Sequence, residues 1–140
     1  MFLLKRLPLA FFAGVRVKTF NNKTCSTRLK FKWINQNPFK SMYFAAMQMA
    51  AELSTGLILF RFKDEGVNYS MLLVSVKANY FKKAVGVITF KCNQVTESEE
   101  FIDLVLSSSE GVSKVFKVDA YNKEQIKVAE FEFEWSCKKK

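Results

Sequence analysis

A long segment that carries one charge constrains the fold of this chain more than any other feature. Between Ser41 and Phe60 the only charged residue is Glu52. At roughly 100° per residue, apolar side chains cover most of the circumference of a helix built from this segment, and such a helix is buried rather than superficial. One narrow stripe differs, since it carries the small and polar residues Ser41, Ala45, Gln48, Glu52 and Thr55.

A membrane span is the alternative for a segment of this length. Ser, Gln, Glu and Thr are spread through it, and an acidic residue at the centre of a membrane helix costs about 2.5 to 3.5 kcal/mol on the insertion scale. The composition, 49% hydrophobic with five Gly and two Pro, is typical of a globular, core-rich protein. The segment therefore predicts a long core helix, and we expect no membrane partner.

Alternation of apolar and basic residues predicts strands on both sides of this helix. Two alternating runs, 15–19 and 28–33, are separated by turn residues at 21–24 and predict a hairpin in which Leu29, Phe31 and Trp33 share the dry face. Further strands are predicted at 71–81, 85–92, 112–121 and 126–137.

The order of these elements predicts the fold class. Thr96 and Glu99 have the spacing of a capping box, which predicts a short helix between the middle and last strand pairs. Runs of hairpin-linked strands around one long helix predict an α+β architecture, with an antiparallel sheet covering that helix. No repeat or linker interrupts the chain, so residues 1–140 are expected to form one domain.

The N-terminus raises the question of a signal peptide. The apolar run from Leu7 to Val15 is short, contains Pro8, and is followed at once by Arg16 and Lys18. We therefore expect a short retained helix and a cytoplasmic protein. The three cysteines are far apart and form no CxxC pair, which predicts reduced thiols and no zinc site.

Charge and the missing histidine limit the chemistry. The 22 basic and 13 acidic residues give a net charge of +9, which attracts nucleic acid, phosphorylated cofactors or anionic lipid. The chain has no histidine, so every Ser/His or Cys/His nucleophilic pair is excluded. Carboxylates, Lys, Tyr and backbone amides remain, and we expect neither a metal nor a cofactor.

Several motifs together resemble one family. They are LPL at 7–9, GVRV at 14–17, NPFKS at 37–41, AAELSTG at 50–56 and WSCK at 135–138. The pattern resembles the hotdog-fold thioesterase-like superfamily, which includes the phenylacetate-degradation type of acyl-CoA thioesterase, and is most similar to a poorly characterised branch of it. The resemblance implies a hotdog fold, in which a curved antiparallel sheet of about six strands wraps around one long central helix.

The resemblance also implies a site. Asn37 matches the family's Asn and Glu52 has the spacing of its catalytic carboxylate, so both are expected to be catalytic. Substrate-binding roles are expected for Ser41, Tyr43, Phe44 and Gln48. Lys82 and Lys83 are expected to bind the phosphates of coenzyme A, because clustered amines attract polyanions. The chain departs from the family's Gly and His-Gly-Gly pattern, because Lys40, Tyr43, Phe44 and Ala45 occupy those positions.

Two functions follow from this resemblance. One is hydrolysis of an acyl-CoA or acyl-carrier thioester by a homodimer, or by a tetramer built from it. The other is non-catalytic binding of acyl-CoA or lipid, which the departures at the helix start favour. A structural alternative stands beside each role. Glu52 is then a buried carboxylate that caps backbone amides or pairs with a lysine of a partner subunit, Asn37 is a helix cap or turn residue, and the lysines form a solvated face. Nucleic-acid binding ranks third and is not expected.

Overall fold

A computed structural model describes residues 2–140 of the chain, so Met1 lies outside the described residues. The helices and strands are, in chain order, α1 (Phe2–Arg6), α2 (Pro8–Ala13), β1 (Arg16–Phe20), β2 (Cys25–Lys30), α3 (Phe44–Asp64), β3 (Tyr69–Tyr80), β4 (Val87–Cys92), α4 (Glu97–Ser107), β5 (Val112–Tyr121) and β6 (Lys127–Lys139).

All six strands belong to one antiparallel sheet, in the order β1-β2-β4-β5-β6-β3. The predicted first hairpin is present, with Phe20 paired to Cys25. Strands β5 and β6 also pair as neighbours. The long helix α3 packs against β2, β4, β5 and β6. The expected α+β architecture, one long helix covered by an antiparallel sheet, is confirmed.

Strands β3 and β4 follow one another in the chain without being neighbours in the sheet. Strand β3 pairs with β6, from Tyr69 opposite Lys139 to Tyr80 opposite Ala129, whereas β4 pairs with β2 and β5. The expectation of hairpin-linked strands is therefore wrong for this pair. The short connection at 81–86 crosses to the middle of the sheet and passes the start of α3, where the Met42 N–H donates to Ala84 O at 2.8 Å.

The core lies between α3 and the inner face of the sheet. The alternation predicted for β6 is confirmed. Phe131, Phe133 and Trp135 are buried, whereas the glutamates between them are half-buried. The three cysteines are free and buried in this core. Two-residue periodicity therefore placed the inner face of the last strand correctly.

Trp33 departs from the expected strand. Strand β2 ends at Lys30, and Trp33 begins a short 3-10 turn in which its side chain is 82% exposed. The buried Asn35 side chain causes the change of direction, because its amide donates to Ala13 O at 3.1 Å and Lys30 O at 2.9 Å and accepts from the Lys32 N–H at 3.0 Å. The periodicity of the run could not reveal these long-range bonds.

Two helix boundaries also differ from expectation. Helix α3 spans Phe44–Asp64 rather than starting near Ser41, because Tyr43 is still extended and Ser41 belongs to a preceding loop. Thr96 precedes α4 as predicted, but its hydroxyl donates to Asn22 O at 3.0 Å and caps no helix. The predicted capping box is therefore not formed.

Candidate functional site

The loop before α3 is closed by the side chain of Asn37. Its Oδ1 accepts from the Phe39 N–H at 2.9 Å and from both the N–H and the hydroxyl of Ser41 at 3.2 Å. Its Nδ2 donates to Met42 O at 3.2 Å. Both ends of the buried amide are thus engaged within the loop. Asn37 thus closes the turn before α3, as expected from the structural alternative to its catalytic role. The same side chain also holds Ser41 in place.

Lys40 takes a left-handed backbone conformation in this loop, with φ of 58°. Glycine adopts that conformation without strain, whereas a residue with a Cβ does not. The family that the sequence resembles has glycine at this position. The loop of this chain therefore keeps a glycine-like backbone in spite of the lysine.

The start of α3 presents backbone N–H groups and two aromatic side chains. No side chain caps the helix, so the first N–H groups, from Phe44 onward, have no partner within the helix. The Phe44 ring packs on Tyr80 with a centroid distance of 4.5 Å, and both Tyr43 and Phe44 are exposed. The positive end of the helix dipole is available there, but Phe44 narrows the approach that glycine would leave open.

One of the two predicted lysines contacts the loop before α3. Lys83 Nζ donates to Phe39 O at 3.3 Å, which brings its charge to the Asn37 loop. Lys82 is exposed and its backbone N–H donates to Val128 O at 3.3 Å. The structure thus brings Lys83 next to the loop that Asn37 closes, while the Lys82 side chain projects into solvent.

Glu52 lies further along α3, in the wall of a cavity of about 260 Å³. The other lining residues are mainly apolar and come from α1, α3, β3 and β6: Phe2, Leu53, Gly56, Leu57, Phe60, Met71 and Trp135, with Leu7 and Arg6 beside them. Among residues 2–140, Arg6 is the basic residue in this lining. An apolar pocket with a single carboxylate in its wall is a typical setting for acid–base chemistry.

Burial dominates the electrostatics of Glu52. It raises the pKa of the Glu52 carboxyl above its ordinary value of 4.5, because the ionised form is poorly solvated in the apolar wall. Within residues 2–140, no Lys or Arg nitrogen lies within 4.0 Å of this carboxylate. No ion pair within the described chain therefore holds this carboxylate.

The polar stripe predicted along the helix does not line one pocket in this structure. The cavity at Glu52 includes neither Ser41 nor Gln48, and it contains none of Asn37, Tyr43 or Phe44. Eight residues of helix separate Phe44 from Glu52, about 12 Å at 1.5 Å per residue. The candidate residues thus form two groups, one at the helix start and one around Glu52.

Residues of the Glu52 cavity were missed because they are distant in sequence. Phe2 and Arg6 come from α1, Met71 from β3 and Trp135 from β6. The one available signal was the i, i+4 spacing of Phe2 and Arg6, which places both on one helix face. Nothing in the sequence connects that face to Glu52.

Two further observations concern classes of site. Among residues 2–140, no group of three or more His, Cys, Asp or Glu side chains is arranged to hold a metal ion. In the same part of the chain, none of the helices combines the length and apolar character needed to span a bilayer.

Comparison with known proteins supports the fold. Residues 2–137 match the family described as a domain of unknown function, DUF4442. Among curated proteins, none matches the chain. A solved structure from Pseudomonas aeruginosa, of a protein of unknown function described as "Probable Thioesterase", has a TM-score of 0.85 at 15% identity and covers 98% of this chain and 91% of its own.

Two other solved structures are similar. A protein of unknown function from Chlorobaculum tepidum has a TM-score of 0.85 at 15% identity, over 99% of this chain and 91% of its own. A thioesterase from Haemophilus influenzae has a TM-score of 0.73 at 12% identity, over 96% of this chain and 85% of its own. At these identities the likeness establishes the fold, and this chain has the hotdog fold of thioesterase-like proteins.

Proposed function

Because this chain belongs to the DUF4442 family, whose function is unknown, and has the hotdog fold, we propose that it hydrolyses acyl-CoA or acyl-carrier thioesters. One observation carries the proposal: Glu52 is a half-buried carboxylate in the wall of an apolar cavity, and no cation of the described chain lies within 4.0 Å of it. A carboxylate kept in such a setting without an ion pair suits catalysis better than stability.

In the proposed reaction Glu52 acts as a general base. Its carboxylate removes a proton from water while the water oxygen attacks the thioester carbonyl, and the C–S bond then breaks. The proton held by Glu52 passes to the departing thiolate, which leaves as a thiol beside the free acid. A pKa raised by burial makes Glu52 a stronger base than a solvated glutamate. In the alternative mechanism, the Glu52 carboxylate is the nucleophile and attacks the thioester carbonyl directly.

The carbonyl oxygen needs a donor during this step, and the free N–H groups at the start of α3 suit it. In one chain they lie about 12 Å from Glu52. We therefore propose a homodimer in which the helix start of a second copy approaches Glu52. Strand β3 supports this assembly because it is a long strand at the sheet edge, and natural proteins cover such edges.

Within this proposal Asn37 assists catalysis by holding the loop before α3 in place, and the remaining predicted residues bind substrate. Lys83, held beside the Asn37 loop at Phe39 O, and the exposed Lys82 are placed to attract the phosphates of a carrier. Tyr43, Phe44 and Gln48 would contact the acyl part. We further propose that residues 1–140 form one domain and that the protein works in the cytoplasm.

A second candidate function is non-catalytic binding of an acyl group. The Phe44 ring, packed on Tyr80 at 4.5 Å, occupies the helix start where the resembled thioesterases have glycine. That arrangement leaves an apolar cavity in place while restricting access to the N–H groups. A binding domain would keep affinity for acyl-CoA without turnover.

An assay of thiol release distinguishes the thioesterase from the non-catalytic binding domain. Its substrates are acyl-CoAs and acyl-carrier thioesters of graded chain length. If Glu52 is the base, Glu52→Gln lowers hydrolysis by about a hundredfold or more, while the melting temperature is no lower than that of the wild type. Glu110→Gln, at an exposed carboxylate outside this cavity, is the matched control and retains activity. A wild type that hydrolyses no thioester in the series would refute the enzyme and leave the binding domain.

A further inference from the structure

A second, larger cavity lies between the N-terminal helices, strand β1 and the second half of α3. Its volume is about 550 Å³, within the range of sites for small molecules. Most of its lining is apolar, including Phe2, Leu3, Phe11, Val17, Phe20 and Leu57. Two arginines, Arg16 and Arg61, also line it. The combination of apolar walls and guanidinium groups is the feature that needs an explanation.

Arg16 is held firmly by contacts that leave its charge uncompensated. Its Nη1 donates to Phe11 O at 2.9 Å and to Val15 O at 2.7 Å, and the guanidinium lies 4.3 Å from the centroid of the Phe11 ring. Over residues 2–140, no carboxylate oxygen lies within 4.0 Å of it. Arginine has five N–H donors, so this half-buried cation retains donors for a ligand.

Arg61 presents a second unused donor. Its Nη2 donates to Ser98 Oγ at 3.1 Å and to Val95 O at 3.4 Å, and lies 3.6 Å from Glu99 Oε1. Its Nε is buried and has no hydrogen-bond partner in the described chain. A buried donor without an acceptor is unfavourable and uncommon. Arg61 therefore has a donor that the described chain does not satisfy.

We propose that this cavity binds a fatty acid, with the carboxylate at Arg16 and Arg61 and the alkyl chain among the apolar side chains. A planar carboxylate suits guanidinium donors, which bind it through paired hydrogen bonds. Apart from Asp64, the rest of the lining is apolar, which fits an alkyl chain. The proposal goes beyond thioester hydrolysis and does not depend on it.

Asp64 also lines the cavity and is the acidic group there. It is exposed at the end of α3, so water and salt screen its repulsion of a carboxylate. Arg61 is partly neutralised by Glu99 at 3.6 Å. Arg16 is half-buried and has no carboxylate partner in residues 2–140, so its attraction is screened less and favours an anionic headgroup.

The dimensions of the site indicate the chain length of the fatty acid. Phe2, Leu57 and Phe60 line both this cavity and the smaller one at Glu52, and the rings of Phe2 and Phe60 are 5.4 Å apart. Nine helical residues separate Arg61 from Glu52, about 13 Å along the axis. An extended chain advances about 1.2 Å per bond. A fatty acid of about ten to twelve carbons therefore matches this axial distance.

Calorimetric titration of the delipidated protein tests the site, with saturated fatty acids of graded length and the primary alcohols of the same length, all below their critical micelle concentrations. We expect one molecule of acid per chain, bound at least about tenfold more tightly than the matching alcohol, since hydrogen bonds to charged groups are the stronger ones. Arg16→Gln should remove that preference while leaving alcohol binding unchanged.

A cavity-filling variant tests the location without touching either arginine. Val17→Trp enlarges a side chain that is 43% exposed and lines the cavity, so the protein should fold and bind the acid at least about tenfold more weakly. Val115→Trp is the control, at a strand valine that is 41% exposed and outside the cavity. Equal binding of acid and alcohol, wild-type affinity in Val17→Trp, or no binding of any acid would each overturn the proposal. Because no thioester is used, none of these outcomes bears on hydrolysis.

Discussion

The indole N–H of Trp135 donates a 2.9 Å hydrogen bond to Thr55 Oγ1, which joins the last strand to the middle of the central helix. The Thr55 hydroxyl in turn donates to Glu52 O at 2.8 Å. The same indole closes over Gly56, where a Cβ would lie 3.5 Å from its ring. The wall beside Glu52 is therefore tied to the backbone that carries the carboxylate.

Substitution of Thr55 tests how much the Trp135–Thr55 hydrogen bond contributes to stability. Thr55→Val keeps the shape of the side chain but leaves the buried indole N–H without an acceptor, which should lower the free energy of unfolding by about 1 to 3 kcal/mol. Thr55→Ser keeps the acceptor and loses one methyl group. Urea unfolding should rank Thr55→Ser above Thr55→Val in stability, and the reverse order would show that the bond is unimportant.

The pH dependence of stability tests the burial of Glu52. Burial raises the folded-state pKa of Glu52 above the ordinary 4.5, so the folded state holds a proton that the unfolded state releases. Its contribution to stability is complete below that ordinary value and is lost as the pH rises through the folded pKa. Glu52→Gln does not titrate, so its stability relative to the wild type should rise with pH over that window.

Urea unfolding of the wild type and Glu52→Gln measures this difference at several pH values, starting just below the ordinary glutamate pKa of 4.5 and continuing upward. Parallel stability curves would show that the carboxyl is not desolvated in solution. A variant that becomes less stable than the wild type as the pH rises would instead show that Glu52 pairs with a cation, the structural alternative for this residue.

The left-handed backbone at Lys40 predicts a stabilising substitution. With φ of 58°, a residue that has a Cβ is strained and glycine is not. We expect Lys40→Gly to be more stable than Lys40→Ala by about 0.5 to 1 kcal/mol, after allowance for the greater freedom of glycine in the unfolded chain. Both variants lose the lysine charge, so thermal or urea unfolding compares the backbone alone. Greater stability of Lys40→Ala would contradict the loop conformation.

The proposed homodimer predicts that edge strand β3 is sensitive to charge. Leu72 on this strand is 68% exposed, and Leu72→Lys would bring lysines from two copies close together in a two-fold interface. Dimer dissociation should become easier by about tenfold or more. Leu104→Lys, on α4 and 58% exposed, is the control.

Light scattering after size exclusion, repeated over a range of concentrations, measures this equilibrium. The wild type and Leu104→Lys should remain dimers at micromolar concentration while Leu72→Lys dissociates. A monomeric wild type at that concentration would count against the assembly, and an unaffected Leu72→Lys dimer would place the interface elsewhere.

Much of the fold was predictable because burial imposes a period on the sequence. The apolar segment from Ser41 to Phe60 predicted helix α3, and alternation around Phe131 and Phe133 predicted the inner face of β6. The order in which the strands pair was harder to predict from the sequence. Strands β3 and β4 are joined by a short connection yet have different neighbours, since pairing depends on which distant strand completes the sheet.

For the candidate site, the sequence likewise identified individual residues but not their arrangement. Glu52 stood out in the sequence because a lone charge in an apolar helix is conspicuous, and Asn37 and Ser41 stood out through a motif. The sequence did not show that the Asn37 amide is occupied within its own loop, nor that Gln48 and Ser41 lie outside the Glu52 cavity. These outcomes depend on where each side chain finds its hydrogen-bond partner after folding.

Local pattern thus determined which segments of this chain form helix and strand and which faces are dry, since hydrophobic burial acts on each segment with the period of its own backbone. Only the tertiary structure decided which groups meet. Phe2, Met71 and Trp135 surround Glu52, and Arg16 joins Arg61 at the second cavity, because α1, β1, β3 and β6 converge on one helix from distant parts of the sequence. Contacts of that kind depend on the packing of whole elements, which no local period encodes.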